Sequence, residues 1–227
     1  LRNIWKRNTE KDALIGVGIT GVAGVDAENL DWKQAANFVK QENEKVANLI
    51  GINIASRTTC IKPSGTTSLV LGTSSGIHAW HSKFYIRRMQ FKVNEPIAQY
   101  LIKNHPNIIE PLKSDPKGAI VAEIPMKAPE GAVLRETETV EEFLERIKLI
   151  YNQWIKPGHR KGPNTHNVSA TVSLKPENWA STLDWIWENK DNYHGLSFFP
   201  YDNGSYVQAP NEVIDEETYN KLSETLV

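Results

Sequence analysis

The sequence holds a single cysteine, Cys60, among 227 residues. One thiol excludes an internal disulfide and a cysteine-built zinc site. It also excludes any mechanism in which this chain alone cycles a pair of thiols. No apolar run approaches the ~20 residues needed to span a bilayer, and the N-terminus lacks the charged-then-apolar pattern of a secretory signal. A cytoplasmic chain with no membrane partner is expected. Without a secretory signal, the sequons Asn167-Val168-Ser169 and Asn203-Gly204-Ser205 carry no meaning. Internal repeats and low-complexity segments are also missing. The first residue is Leu1 rather than methionine, so the chain is expected to be a fragment, a processed product or part of something longer. What is present is ordinary for a folded protein: 40% hydrophobic and 23% charged residues exclude wholesale disorder. The length suits one large domain or two small ones.

A net charge of −1 conceals an asymmetry, because residues 177–227 carry ten acidic and two basic side chains, leaving +7 for residues 1–176. Arg57, Lys62, Lys83, Arg87, Arg88 and Lys92 form a basic group suited to an anionic small molecule, with a solvated basic face as the plainer reading. The basic runs are too short and scattered for nucleic acid.

Strand-like and helix-like segments alternate. Leu14–Ile19 reads as a strand; Asp31 caps a helix whose apolar face runs from Trp32 to Ile50 and which Gly51 closes. Arg57–Ile61 is a short strand, and Lys83–Phe91 alternates as a longer one. Pro96 opens a helix through Lys103, after which the Pro-rich stretch 104–118 reads as a loop. Ala119–Ile124 is a strand. Thr139-Val140-Glu141-Glu142 fits a capping box ahead of a helix ended by Pro157-Gly158. Val168–Leu174 and Gly195–Phe199 read as strands around a Trp-rich helix over Pro176–Glu188, and a last helix spans Glu216–Leu222. The pattern predicts an α/β fold with parallel strands, in a single domain over residues 1–227.

Three motifs bear on chemistry. Gly16-x-Gly18-x-x-Gly21 matches the dinucleotide fingerprint, but the acidic residue and second strand that it needs about 20 positions on are replaced by helix interior. The glycines more simply allow close packing beside a strand. His78-x-x-His81 has no third ligand, so no metal is expected, and Cys60 has no neighbouring base, so a small buried hydrophobe is expected there. Lys62-Pro63-Ser64-Gly65-Thr66-Thr67-Ser68 joins a strand end to a short helix. Free backbone N–H groups and hydroxyls at such a turn bind phosphate, although a Ser/Thr-rich helix cap has the same composition. The Gly-Lys-Ser/Thr ending of a P-loop is absent.

The run Arg57–His81 (RTTCIKPSGTTSLVLGTSSGIHAWH) with Phe84-Tyr85-Ile86-Arg87-Arg88 resembles the C-terminal half of the catalytic barrel of ribonucleotide reductases, most closely the adenosylcobalamin-dependent ribonucleoside-triphosphate reductases. Ile15–Gly24, Asn167–Leu174 and Gly195–Pro210 are similar to other parts of that barrel. The resemblance implies a ten-stranded α/β barrel of which this chain forms about the second half. It implies a substrate-phosphate loop at Ser64, Gly65, Thr66 and Thr67 with Ser68 beside it, and adenosylcobalamin as cofactor with no contacts placed on named residues. It implies as partners a ribonucleotide substrate, the missing N-terminal part of the reductase, and thioredoxin or a similar dithiol. The family's radical cysteine, followed two positions on by glutamate, and its reducing cysteines are absent, so no catalytic residue is assigned and the chain is not expected to turn over alone. Leu196-Ser197-Phe198-Phe199-Pro200 carries phenylalanines where the oxygen-dependent class has a tyrosine pair, which favours a radical made beside the site by cobalamin. A nucleotide-binding or structural module without reductase activity is the alternative.

Overall fold

A computed structural model describes residues 2–201 and 207–226. The second sequon and residues 202–206 of the 195–210 motif lie outside the described residues. In chain order the elements are α1 (Asn3–Asp12), β1 (Val17–Gly18), α2 (Trp32–Ile50), β2 (Thr59–Cys60), α3 (Thr67–Val70), β3 (Phe84–Lys92), α4 (Pro96–Asn104) and β4 (Ile109–Pro111). There follow β5 (Ala119–Lys127), α5 (Val140–Ile150), β6 (Thr171–Leu174), α6 (Trp179–Glu188), β7 (Ser197–Pro200), β8 (Asn211–Val213) and α7 (Glu216–Glu224). These elements gather into two compact units, one built from residues 2–79 and 138–201, the other from residues 80–137 and 207–226.

The first unit is α/β with parallel pairing. β1 pairs with β2 and β6 with β7, both in parallel, and the isolated parallel bridge Ile61–Val168 joins the two pairs. Local chemistry sets the helices. Asp31 accepts from the Gln34 N–H at 2.9 Å, and Gly51 ends α2 with φ of +74°, a conformation that costs most other residues energy. Thr139 and Glu142 complete the capping box at the start of α5. The core is one stripe of α5 (Phe143, Leu144, Ile147, Ile150) with Ile61, Ile77, Val168, Val172 and Leu174. Trp32 meets Trp154 edge-on at 6.4 Å. A π-turn over Tyr151–Ile155 follows α5, and the Thr59 hydroxyl donates to the Trp154 carbonyl at 2.7 Å. A side chain at Gly158 would place its Cβ 1.9 Å from the same Thr59 oxygen, so only glycine fits this approach.

The second unit departs from the expectation of parallel strands throughout. Its sheet has the order β4-β5-β3-β8 and every pairing is antiparallel. The connection from β4 to β5 is a short turn at Asp115–Gly118, too short for the crossover that parallel pairing needs. The stretch read as a loop over 104–118 therefore contains β4. Phe84 packs on Tyr219 of α7 with ring centroids 5.2 Å apart.

The basic group also divides. Arg57 and Lys62 belong to the first unit, and Lys83, Arg87, Arg88 and Lys92 to the second. Arg88 is compensated: its guanidinium lies 2.7 Å from Glu123 and 2.5 Å from Glu212, with Glu110 at 3.9 Å. Arg87 donates to Asn211 at 3.1 Å. These arginines brace a sheet rather than present a common cationic face.

Candidate functional site

β2 and the bridge at Ile61 end in the segment 62–68, at the carboxyl end of a parallel strand, where α/β sheets place ligands. The backbone there is mounted on the loop 73–76. The Thr73 N–H donates to the Ser68 carbonyl at 2.9 Å, and the Ser75 hydroxyl donates to the Pro63 carbonyl at 3.1 Å. Gly76, at φ +61°, lies so close beneath Lys62 that a Cβ would stand 2.5 Å from the Lys62 carbonyl oxygen. The loop 73–76 is tied in turn to the end of β1, because Thr20 donates to the Ser74 carbonyl at 3.0 Å and accepts from the Gly76 N–H at 2.8 Å.

Four of the five expected residues carry donors left unpaired among the described residues. The N–H groups of Gly65, Thr66 and Thr67, and the hydroxyls of Ser64, Thr66 and Thr67, have no partner among the described residues. They open the first turn of α3, where unpaired N–H groups point out of the turn. Ser68 is different. It is buried, and its hydroxyl donates to the Ser64 carbonyl and, at 3.5 Å, to the Gly65 carbonyl. Ser68 closes the cradle from within, while Ser64, Gly65, Thr66 and Thr67 line it.

Side chains alternate across β1, β2, β6 and β7. Ile61, Val168, Val172 and Leu174 enter the core, which puts Gly16, Gly18, Cys60, Lys62, Ser169, Thr171, Ser173 and Ser197 on the opposite face. The Ser169, Thr171, Ser173 and Ser197 hydroxyls have no partner among the described residues. The sequence reading passed over this face, although the alternation Asn167-x-Ser169-x-Thr171-x-Ser173 signals it.

The remaining motif residues are engaged structurally. Gly16 brings its backbone against Cys60, where a Cβ would meet the sulfur at 3.0 Å, and Gly21 opens a three-residue turn rather than a helix. The dinucleotide geometry is therefore absent, and the glycines allow close packing. Cys60 is buried, and desolvation raises its thiol pKa against the opposing charge of Lys62. Burial of this kind suits the inert role expected for it. His78 lies between two backbone groups: Nδ1 is 3.0 Å from the Ser75 carbonyl, and Nε2 accepts from the Thr171 N–H at 3.0 Å. Burial lowers its pKa, with the Ser75 carbonyl opposing and Arg146 adding to the effect. His81 belongs to the other unit, where it packs on Tyr85 with ring centroids 5.5 Å apart.

This architecture has a counterpart among solved structures. Over 98% of the chain it superposes on part of a crystal structure of a B12-dependent (class II) ribonucleotide reductase, with a TM-score of 0.74, 21% identity and 34% of that chain covered. That likeness establishes the fold, in agreement with the α/β reading.

Three sequence relatives share one enzyme name. The chain is 26% identical to the adenosylcobalamin-dependent ribonucleoside-triphosphate reductase of Euglena gracilis over 96% of its own length. It is 27% identical to a probable enzyme of the same name from Dictyostelium discoideum over 92%, and 25% identical to that of Levilactobacillus brevis over 80%. The similarity read at residues 15–24, 57–88, 167–174 and 195–210 is matched by relatives aligned over 80% to 96% of the chain. The chain spans 30% of the length of the Euglena relative, 27% of the Dictyostelium one and 23% of the Levilactobacillus one. No protein-family model matches the sequence.

Proposed function

We propose that this chain is part of an adenosylcobalamin-dependent ribonucleotide reductase, to which it contributes one half of the catalytic barrel and the loop that holds the substrate phosphates. The observation that carries the reading is the cradle at Ser64, Gly65, Thr66 and Thr67, with three unpaired N–H groups and three unpaired hydroxyls at the end of a parallel strand. Donors gathered in this way at a helical turn fit a phosphate. The parent reaction removes the 2′-hydroxyl of a ribonucleotide by thiyl-radical chemistry for DNA synthesis, with thioredoxin or a similar dithiol as reductant. Its thiols would come from residues outside these 227, because Cys60 is single and buried.

Adenosylcobalamin, when bound, would generate the radical. No contact to it is assigned among the described residues. The parent is placed in the cytoplasm, and the 227 residues are taken as one part of its barrel domain.

The test is a titration of CTP and cytidine against the full-length protein and its Gly65→Val and Thr66→Val variants. Loss of a hydrogen bond to a charged partner weakens CTP roughly ten- to a hundredfold and leaves cytidine nearly unchanged. Equal weakening of both ligands, or of neither, makes the loop an ordinary helix cap.

A further inference from the structure

The cradle supplies dipoles and hydroxyls but no full positive charge, and a nucleotide's phosphates carry several negative ones. Lys62 stands immediately before it. This lysine is exposed, and it has neither an ion-pair nor a hydrogen-bond partner among the described residues. Its backbone is a fixed mount, because its carbonyl rests on Gly76 and the next carbonyl, that of Pro63, accepts from Ser75. Its direction is set as well. Lys62 follows Ile61, which points into the core, so its side chain leaves the sheet on the hydroxyl-lined face. Its stem runs beside Gly18, where a Cβ would be 3.9 Å from Lys62 Cγ, and the missing side chain leaves that path open. One residue beyond the Ile61–Val168 bridge, Lys62 lies next in register to Ser169. Its charge opposes the desolvation that raises the Cys60 pKa, and at His166 it adds, after burial, Arg57 and His159, to the lowering.

We propose that Lys62 is a further phosphate-binding residue, whose ammonium pairs with the phosphates of a nucleotide held in the Ser64–Thr67 cradle. The inference rests on the phosphate-loop reading and adds a charged group to it. A lysine acts as a point charge, so its contribution grows with the charge on the ligand and falls with added salt.

The experiment titrates CTP, CMP and cytidine against the full-length protein and its Lys62→Met, Lys62→Arg and Gly65→Val variants, at low and high salt. Lys62→Met keeps the stem and removes the charge, and about a tenfold loss of CTP affinity at low salt is expected. The loss is smaller for CMP, absent for cytidine and reduced at high salt, and Lys62→Arg recovers most of it. If Lys62→Met binds CTP like the parent while Gly65→Val does not, the cradle stands and the role of Lys62 is overturned. If neither variant weakens CTP, the cradle reading fails and this inference fails with it. Equal weakening of CTP and cytidine by Lys62→Met, or no recovery in Lys62→Arg, also overturns it.

Discussion

Replacing Gly76 by alanine tests how the cradle is mounted. Gly76 has φ of +61°, and an added Cβ would lie 2.5 Å from the Lys62 carbonyl oxygen. Two costs follow. Left-handed backbone costs a residue with a Cβ roughly 1–2 kcal/mol. The contact meets backbone, not a movable side-chain tip, and overpacking of this kind adds about 1–3 kcal/mol. Gly76 cannot withdraw freely, since its N–H donates to Thr20 and its carbonyl accepts from Val22 at 3.1 Å. The expected destabilisation is therefore about 2–5 kcal/mol. Gly51→Ala isolates the first cost, because Gly51 has φ of +74° with nothing within 4 Å of its would-be Cβ. Urea unfolding of both variants should show Gly51→Ala losing only about 1–2 kcal/mol, with Gly76→Ala losing clearly more and binding CTP more weakly. Equal losses would mean that the loop 73–76 does not press on the strand end, and the mounting argument would be wrong.

Three other outcomes are expected. Cys60→Ala should cost on the order of 1 kcal/mol, and a thiol reagent should label the native protein slowly and the urea-unfolded protein fast; rapid labelling of the native state contradicts the burial. Arg88→Met should cost about 2–4 kcal/mol, measured by urea unfolding, because Glu123 keeps only a partly buried site without its partner; a loss below about 0.5 kcal/mol would mark the cluster as solvated. Burial lowers the pKa of His78 and takes His81 down to about 4, with Arg135 and Arg87 adding to the effect at His81. A base with a depressed folded pKa leaves the unfolded chain to take up protons first, so stability is full above the ordinary imidazole range and declines as pH falls from about 6.5 toward 4. The urea midpoint should therefore fall between pH 7.5 and 5.5, and less so in His78→Gln; a flat profile in the parent refutes the assignment.

The boundaries of α2 and α5 were legible because the bonds that make them join residues three or four apart, whereas α1 (Asn3–Asp12), with no side-chain cap, was not read. Asp31 with Gln34, and Thr139 with Glu142, are read directly from the chain, as is the glycine that ends α2. The segment 62–68 was legible for the same reason, since its donors are consecutive residues. The folded chain decided what those groups do. Ser68, equal to its neighbours in sequence, turns inward because the carbonyls of Ser64 and Gly65 fall within its reach. Arg88, which reads as a free cation, meets Glu123 and Glu212 only when β3 is flanked by β5 and β8. Gly16 and Gly18 imitate a dinucleotide turn until β2 sets Cys60 and Lys62 beside them. The contacts of Arg88, Gly16 and Gly18 cross tens of residues and depend on a register, and register is chosen by which faces are buried together. Composition and local spacing hold no record of that choice.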